Sequence, residues 1–178
     1  FVLLTTLSTQ PKNCTGLEKY MKEFRSRFLN YELRSTKLSC IVSLPQDYLF
    51  RSGDAELKAD AYKALAPFFR KIKEFPEHRE DLVVVEGHTD NVPIRTENFR
   101  NNWELSTSRA TNIATMLIDK MNYNSKSISV NGFADTQPKV PYTDSSGKTL
   151  RGYELEQARR VNRRVEIILT SPVKSRHE

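Results

Sequence analysis

Little in these 178 residues suggests a disulfide scaffold, a metal centre or a chain made for the membrane interior. Cysteine occurs only at Cys14 and Cys40, too sparse for a fold held by bridges. The pair allows one disulfide in an oxidising compartment or two thiols in a reducing one, and the residues leave both open. The three histidines, His78, His88 and His177, share no ligand spacing, and His88 beside Asp90 is two side chains, so no metal is expected. No internal repeat or low-complexity tract is present. The opening "FVLLTTLST" is far shorter than the roughly 20 apolar residues of a bilayer span. Residues 1–9 are expected to be the outer end of a membrane helix, with a core strand as the alternative, and no other segment resembles a span.

The remainder reads as an ordinary globular chain, 38% hydrophobic and 28% charged. Its net charge of +6 and pI near 9.3 favour an anionic partner, with nucleic acid, acidic lipid and acidic polymer all eligible. Residues 10–36 form a linker and an amphipathic helix, in which Leu17, Tyr20, Met21, Phe24, Phe28 and Leu29 recur at helical spacing. That stripe is expected to pack on its own domain or on a second copy, giving a homodimer. "KLSCIVSLP" is a strand closed by Pro45, and a polar loop then leads into a helix from about Leu57 to Phe75. Ala61, Leu65, Phe68, Phe69 and Ile72 are its buried stripe, and Pro67 is expected to kink it. "EDLVVVEGHTD" is a strand too apolar for an exposed edge. Asn101 with Glu104 three residues on predicts an N-cap for a helix reaching about Met121. "SISVNGFAD" is the next strand, and "YELEQARRVN" is a short helix before the final strand "RRVEIILT". Such alternation predicts an α/β (α+β) two-layer sandwich, β-α-β-α-β-(α)-β over residues 37–171, with helices on one sheet face, an added N-terminal helix and a tail at 172–178.

Chemistry is harder to find. Ser106 and Ser108 sit near a helix start, where serine is common for capping, and no histidine is placed to activate either. Only Asp90 stands clearly at a strand end as a candidate acid or base, so an enzyme is not expected, and no cofactor is called for. "ARRVNRRVE" packs four arginines into six residues but lacks interleaved aromatics, which argues for a solvated charge run and against nucleic acid. Asp90 and Arg109 remain. Asn102, Leu105 and Arg109 share one helix face, which carries Arg109 towards the strand end that delivers Asp90. Spacing favours a structural salt bridge; the alternative is a receptor for a zwitterion, carboxylate on guanidinium and ammonium on aspartate.

Three stretches in this order, "GHTDNVPI", "NNWELSTSRA" and "NRRVEI", resemble the OmpA-like peptidoglycan-binding domain, most nearly the periplasmic domain of MotB-type stator proteins. "LFRSGDAELKADAYKAL" resembles the segment before that domain's first helix. The likeness covers Lys37 to about Leu169. It implies a non-catalytic pocket for the diaminopimelate of the peptidoglycan stem peptide, with Asp90, Asn102, Leu105, Arg109 and Arg163 as binding residues. It further implies a periplasmic domain of a single-pass inner-membrane protein in a Gram-negative cell, partnered by a MotA-like subunit. The stator is either flagellar or of the Zorya defence type. An outer-membrane-to-wall tether is the alternative.

Overall fold

The structure, a computed structural model, describes residues 11–23 and 31–172. In chain order it contains α1 (Thr15–Glu23), β1 (Glu32–Ser35), β2 (Ser39–Pro45), the single turn α2 (Gln46–Leu49) and α3 (Ala59–Glu74). These are followed by β3 (Leu82–His88), α4 (Asn102–Met121), β4 (Ile128–Gly132), α5 (Gly152–Asn162) and β5 (Arg164–Thr170). The strands form one open sheet in the order β1-β2-β5-β3-β4. Among the neighbouring strands described, only β3 and β4 pair in parallel, joined by the crossover helix α4 as such a pair requires.

Alternation along the strands builds the core. Val42, Leu44, Val83, Val85, Val165, Ile167 and Leu169 are buried together with Leu65, Phe68, Phe69 and Ile72 of α3 and Ile113 and Leu117 of α4. All five apolar residues expected to face inward from α3 do so. The helix continues unbroken across Pro67. Asn101 caps α4 as its spacing predicts, its side chain accepting from the Glu104 amide at 3.0 Å. The Glu104 carboxylate does not complete the reciprocal half of a capping box; it takes the Arg100 amide instead, at 2.7 Å.

Two features add to the four-strand expectation. Residues 32–35 form an edge strand, paired with β2 from Glu32↔Ser43 to Ser35↔Cys40. Its four residues, mostly exposed, carry too weak an apolar pattern to be read as a strand; pairing with β2 makes it one. Leu17 and Met21 of the leader are buried in the chain's own core, so this half of the amphipathic stripe is spent internally. Phe24, Phe28 and Leu29, the rest of that stripe, lie outside the described residues, as do residues 1–9 and most of the tail. The sulfurs of Cys14 and Cys40 are bonded, closing a separation of 26. In the chain-entropy account, a loop of that size is worth about 3–4 kcal/mol.

What positions α4 is a pair of glycines side by side in the parallel ladder, Gly87 and Gly132. A Cβ on Gly87 would lie 2.1 Å from the Ser106 carbonyl oxygen, and one on Gly132 would lie 2.1 Å from Thr107 Oγ1 and 2.7 Å from its backbone nitrogen. The first turns of α4 therefore rest directly on backbone. Ser106 Oγ accepts the Ala134 amide at 3.1 Å across the same junction.

Gly87→Ala is expected to destabilise the domain by about 1–3 kcal/mol, the overpacking range, because the obstructing atom is backbone and cannot rotate away. Urea unfolding measures it; an unchanged midpoint would mean that α4 does not bear on β3.

Candidate functional site

The ends of β2 and β3 and the first turns of α4 converge on a cavity of about 930 Å³. Its wall includes Asp47, Phe50, Lys58, Asp90, Asn102, Leu105, Arg109, Glu156 and Arg163. The five residues singled out from sequence thus all line one hollow, although they come from separate stretches of chain.

Their pairing differs from the Asp90–Arg109 bridge that spacing by itself favours. Asp90 lies two residues beyond β3, folded into a tight turn by its own Oδ1, which accepts the Val92 amide at 2.9 Å. Its other oxygen takes Arg163 Nη1 at 2.7 Å. Arg163, between α5 and β5, also donates to both Asp47 oxygens, at 3.2 and 3.1 Å, and to Glu156 at 3.1 Å. Three carboxylates therefore surround one guanidinium, an excess of two negative charges. Burial opposes the Arg163 charge, but its hydrogen bonds to Asp47 and Asp90, with that to Glu156 behind them, outweigh it and raise its pKa.

Arg109 is in the opposite condition. It is 5% exposed, and among the described residues no carboxylate lies within ion-pair distance of it. Its Nε donates to the Asp54 carbonyl at 2.7 Å and its Nη2 to the Arg51 carbonyl at 3.2 Å. The Phe50 ring lies beneath it, 5.2 Å from the guanidinium carbon. Burial pushes its pKa down to about 10, the attraction of Asp47, Asp54 and Asp90 only partly offsetting this, so it stays charged at neutral pH. Backbone dipoles satisfy some of its donors without cancelling its charge. Nearby, Asn112 Nδ2 holds the Ala55 carbonyl at 2.7 Å, so α4 pins the whole 51–55 loop. Asn102 Nδ2 donates to the Val92 carbonyl at 3.0 Å, leaving its amide oxygen to accept.

Asp47, Glu156 and the carbonyls of Arg51 and Asp54 were not foreseen as parts of the site. Asp47 lies in a one-turn helix after Pro45, and Glu156 on a helix that reads as solvent-facing, so neither carries a periodic signal. Three of the clustered arginines are committed internally: Arg159 to Asn91, Arg163 as above, and Arg164 to Glu166. Glu86, His88 and Glu166 bring ligand-type atoms within 4.8 Å of one another. Arg164 Nε donates to Glu166 at 2.8 Å there, and the His88 ring stacks on Phe133, so the cation in this cluster is the chain's own. Spacing could not reveal the cluster, because Glu166 arrives from another strand.

Residues 49–151 match the OmpA family. Motility protein B of Bacillus subtilis is 27% identical over 153 residues, 86% of this chain and 53% of its own length. The uncharacterized protein YtxE of the same organism is 29% identical over 129 residues, 72% of this chain and 47% of its own. The chain thus spans about half the length of the curated relatives it matches. Among solved structures, the cell wall anchor of the T6SS from Pseudomonas aeruginosa aligns with TM-score 0.66 and 25% identity, over 92% of this chain and 99% of that one. The periplasmic domain of Helicobacter pylori MotB aligns with TM-score 0.68 over 84% of this chain and 85% of that one; at 21% identity it shares the fold. Among the described residues no helix is long and apolar enough to cross a membrane.

Arg163→Met is expected to cost about 1–3 kcal/mol at neutral pH, since it leaves carboxylates facing one another without a cation. In a double-mutant cycle the loss should shrink when Asp90→Asn is already present, with a coupling of about 1 kcal/mol. Additive losses would show that the Arg163–Asp90 contact carries no energy.

Proposed function

The chain belongs to the OmpA family, and from that premise we propose that the cavity binds the peptidoglycan stem peptide without chemical change, gripping the side-chain end of diaminopimelate. The observation that carries this reading is the division of charge inside one hollow. One wall holds a buried guanidinium with no carboxylate partner among the described residues, and another holds three carboxylates around a single arginine. Diaminopimelate ends in an amine and a carboxylate on the same carbon. A carboxylate on Arg109 would form the charge-assisted bonds that backbone carbonyls cannot supply. The ammonium would face Asp90, with Asp47 and Glu156 adding to the negative field. Leu105 and Phe50 offer apolar surface to the intervening methylenes, and the free Asn102 amide oxygen is an acceptor for the peptide.

In the wider proposal the domain is periplasmic and anchors an ion-driven inner-membrane complex to the wall. It acts as a homodimer beside a MotA-like subunit. The likeness to Motility protein B supports the stator assignment, and that to a cell wall anchor supports anchoring as the task.

The test uses conservative variants, because Arg109 also holds the 51–54 loop and its removal to alanine would disturb the wall of the cavity. Arg109→Lys retains a charge but loses the planar fork, and Asp90→Asn retains the turn-forming oxygen but loses the charge. Each should weaken binding of a diaminopimelate muropeptide by roughly 10- to 100-fold in titration calorimetry, at about 1.4 kcal/mol per decade. Circular dichroism spectra should not change. A lysine stem peptide lacks the second carboxylate and should bind the wild type more weakly, with Arg109→Lys narrowing the gap. Equal affinity of the wild type for both stems would overturn the assignment of the clamp.

A further inference from the structure

The leader and the cavity occupy opposite ends of the same strands. Cys14 is bonded to Cys40, the second residue of β2, and Lys12 pairs with Asp81, the residue before β3. Both charged side chains of that pair are 4% exposed. The Lys12 ammonium also reaches the Glu77 carbonyl at 2.9 Å, and His78 Nδ1 lies 2.9 Å from Asp81 Oδ2. The Lys12 amide donates to the Lys37 carbonyl at 2.9 Å. At their other ends, β2 runs into Asp47 and β3 into Asp90, both at the cavity. The two attachment points are therefore separated by the length of a seven-residue strand, about 23 Å at ~3.3 Å per residue.

We infer that the Cys14–Cys40 bond is a mechanical shunt: it carries tension arriving from the N-terminal side of Cys14 straight into β2 and past residues 15–39. The inference rests on the anchoring function proposed above, since an anchor is a protein loaded between its tether and its ligand. With the bond in place, force enters at the leader end of β2 and leaves at the cavity end of β3. Strand β5 lies between them, antiparallel to both, through seven register pairs on each side. Pulling in this direction slides the strands past one another, so the pairs on each side resist together. The buried Lys12–Asp81 pair adds a second entry at β3.

With the bond absent, tension that breaks the Lys12–Asp81 pair passes through α1 and reaches the sheet at β1. That strand is an edge with four register pairs. Its first residue, Glu32, lies opposite Ser43, well along β2 towards the cavity, whereas the tension pulls from the leader end. The strand then peels one pair at a time, a geometry in which each pair meets the whole load alone. The disulfide removes this weak route by making it slack.

Single-molecule pulling of the full chain tests the shunt, with one handle at the N-terminus and a click-reactive handle at the exposed Glu97 beside the cavity. The oxidised protein should open in one main event with no earlier extension. After reduction an added step should appear at lower force. Its length should be roughly 80–90 Å, from the separation of 26 at about 3.3–3.6 Å per residue less the 5.8 Å between the two Cα atoms in the fold. A Cys14→Ser/Cys40→Ser chain, checked for folding by circular dichroism, should behave as the reduced wild type does. If reduced and oxidised wild type give the same first event, the shunt is refuted. Pelleting with purified sacculi runs beside it: loss of wild-type binding there would sink the wall-binding reading while leaving the pulling result to stand.

Discussion

The arrangement depends on how closely α4 approaches the sheet. Gly87 and Gly132 are neighbours across the parallel pair β3·β4, and the backbone of Ser106 and Thr107 fills the space where their side chains would be. A helix held off by a methyl layer would shift Asn102, Leu105 and Arg109 outward together, since they occupy one face of α4. The seat also fixes Ala134 through Ser106, at the start of the segment that returns towards α5. Close packing here is thus less a matter of core stability than of where three cavity side chains end up.

The charges obey a second constraint. A buried ion must be matched by another charge or by well-placed dipoles, because the interior does not replace the water it loses. Arg163 meets the rule in excess, with Asp47, Asp90 and Glu156 around it. Arg109 meets it only in part, through two carbonyls and a ring face. The two arginines have therefore different parts, although each was expected to contact the same ligand. Arg163 organises the acidic wall, and Arg109 keeps its charge available. Burial lowers the Arg109 pKa to about 10 without discharging it, so the cation persists at neutral pH.

Along the strands the molecule is polarised. One end carries the covalent and ionic attachments of the leader, and the other carries the cavity, with the antiparallel β2-β5-β3 ribbon between them. The load path is the mechanical counterpart of the binding proposal, and both depend on the strands running uninterrupted from one end to the other.

The order of elements, the inward stripe of α3 and the cap of α4 were legible in the sequence because they follow from periodicity and local chemistry, which neighbouring residues share. The five cavity residues were legible as a set only through motif resemblance; spacing alone pointed to an Asp90–Arg109 bridge. Tertiary structure decided the rest. Asp90 meets Arg163, not Arg109, because α5 and β5 bring residue 163 to the end of β3 from 73 positions away. Asp47 and Glu156 join the cavity for the same reason, and β1 becomes a strand because β2 offers it a free edge. Which cysteines could meet was never in question with two of them; that they do meet depends on the leader folding back onto β2. Each of these outcomes concerns contacts between distant segments, and no local pattern encodes which of several available charges or edges a folded chain will bring together.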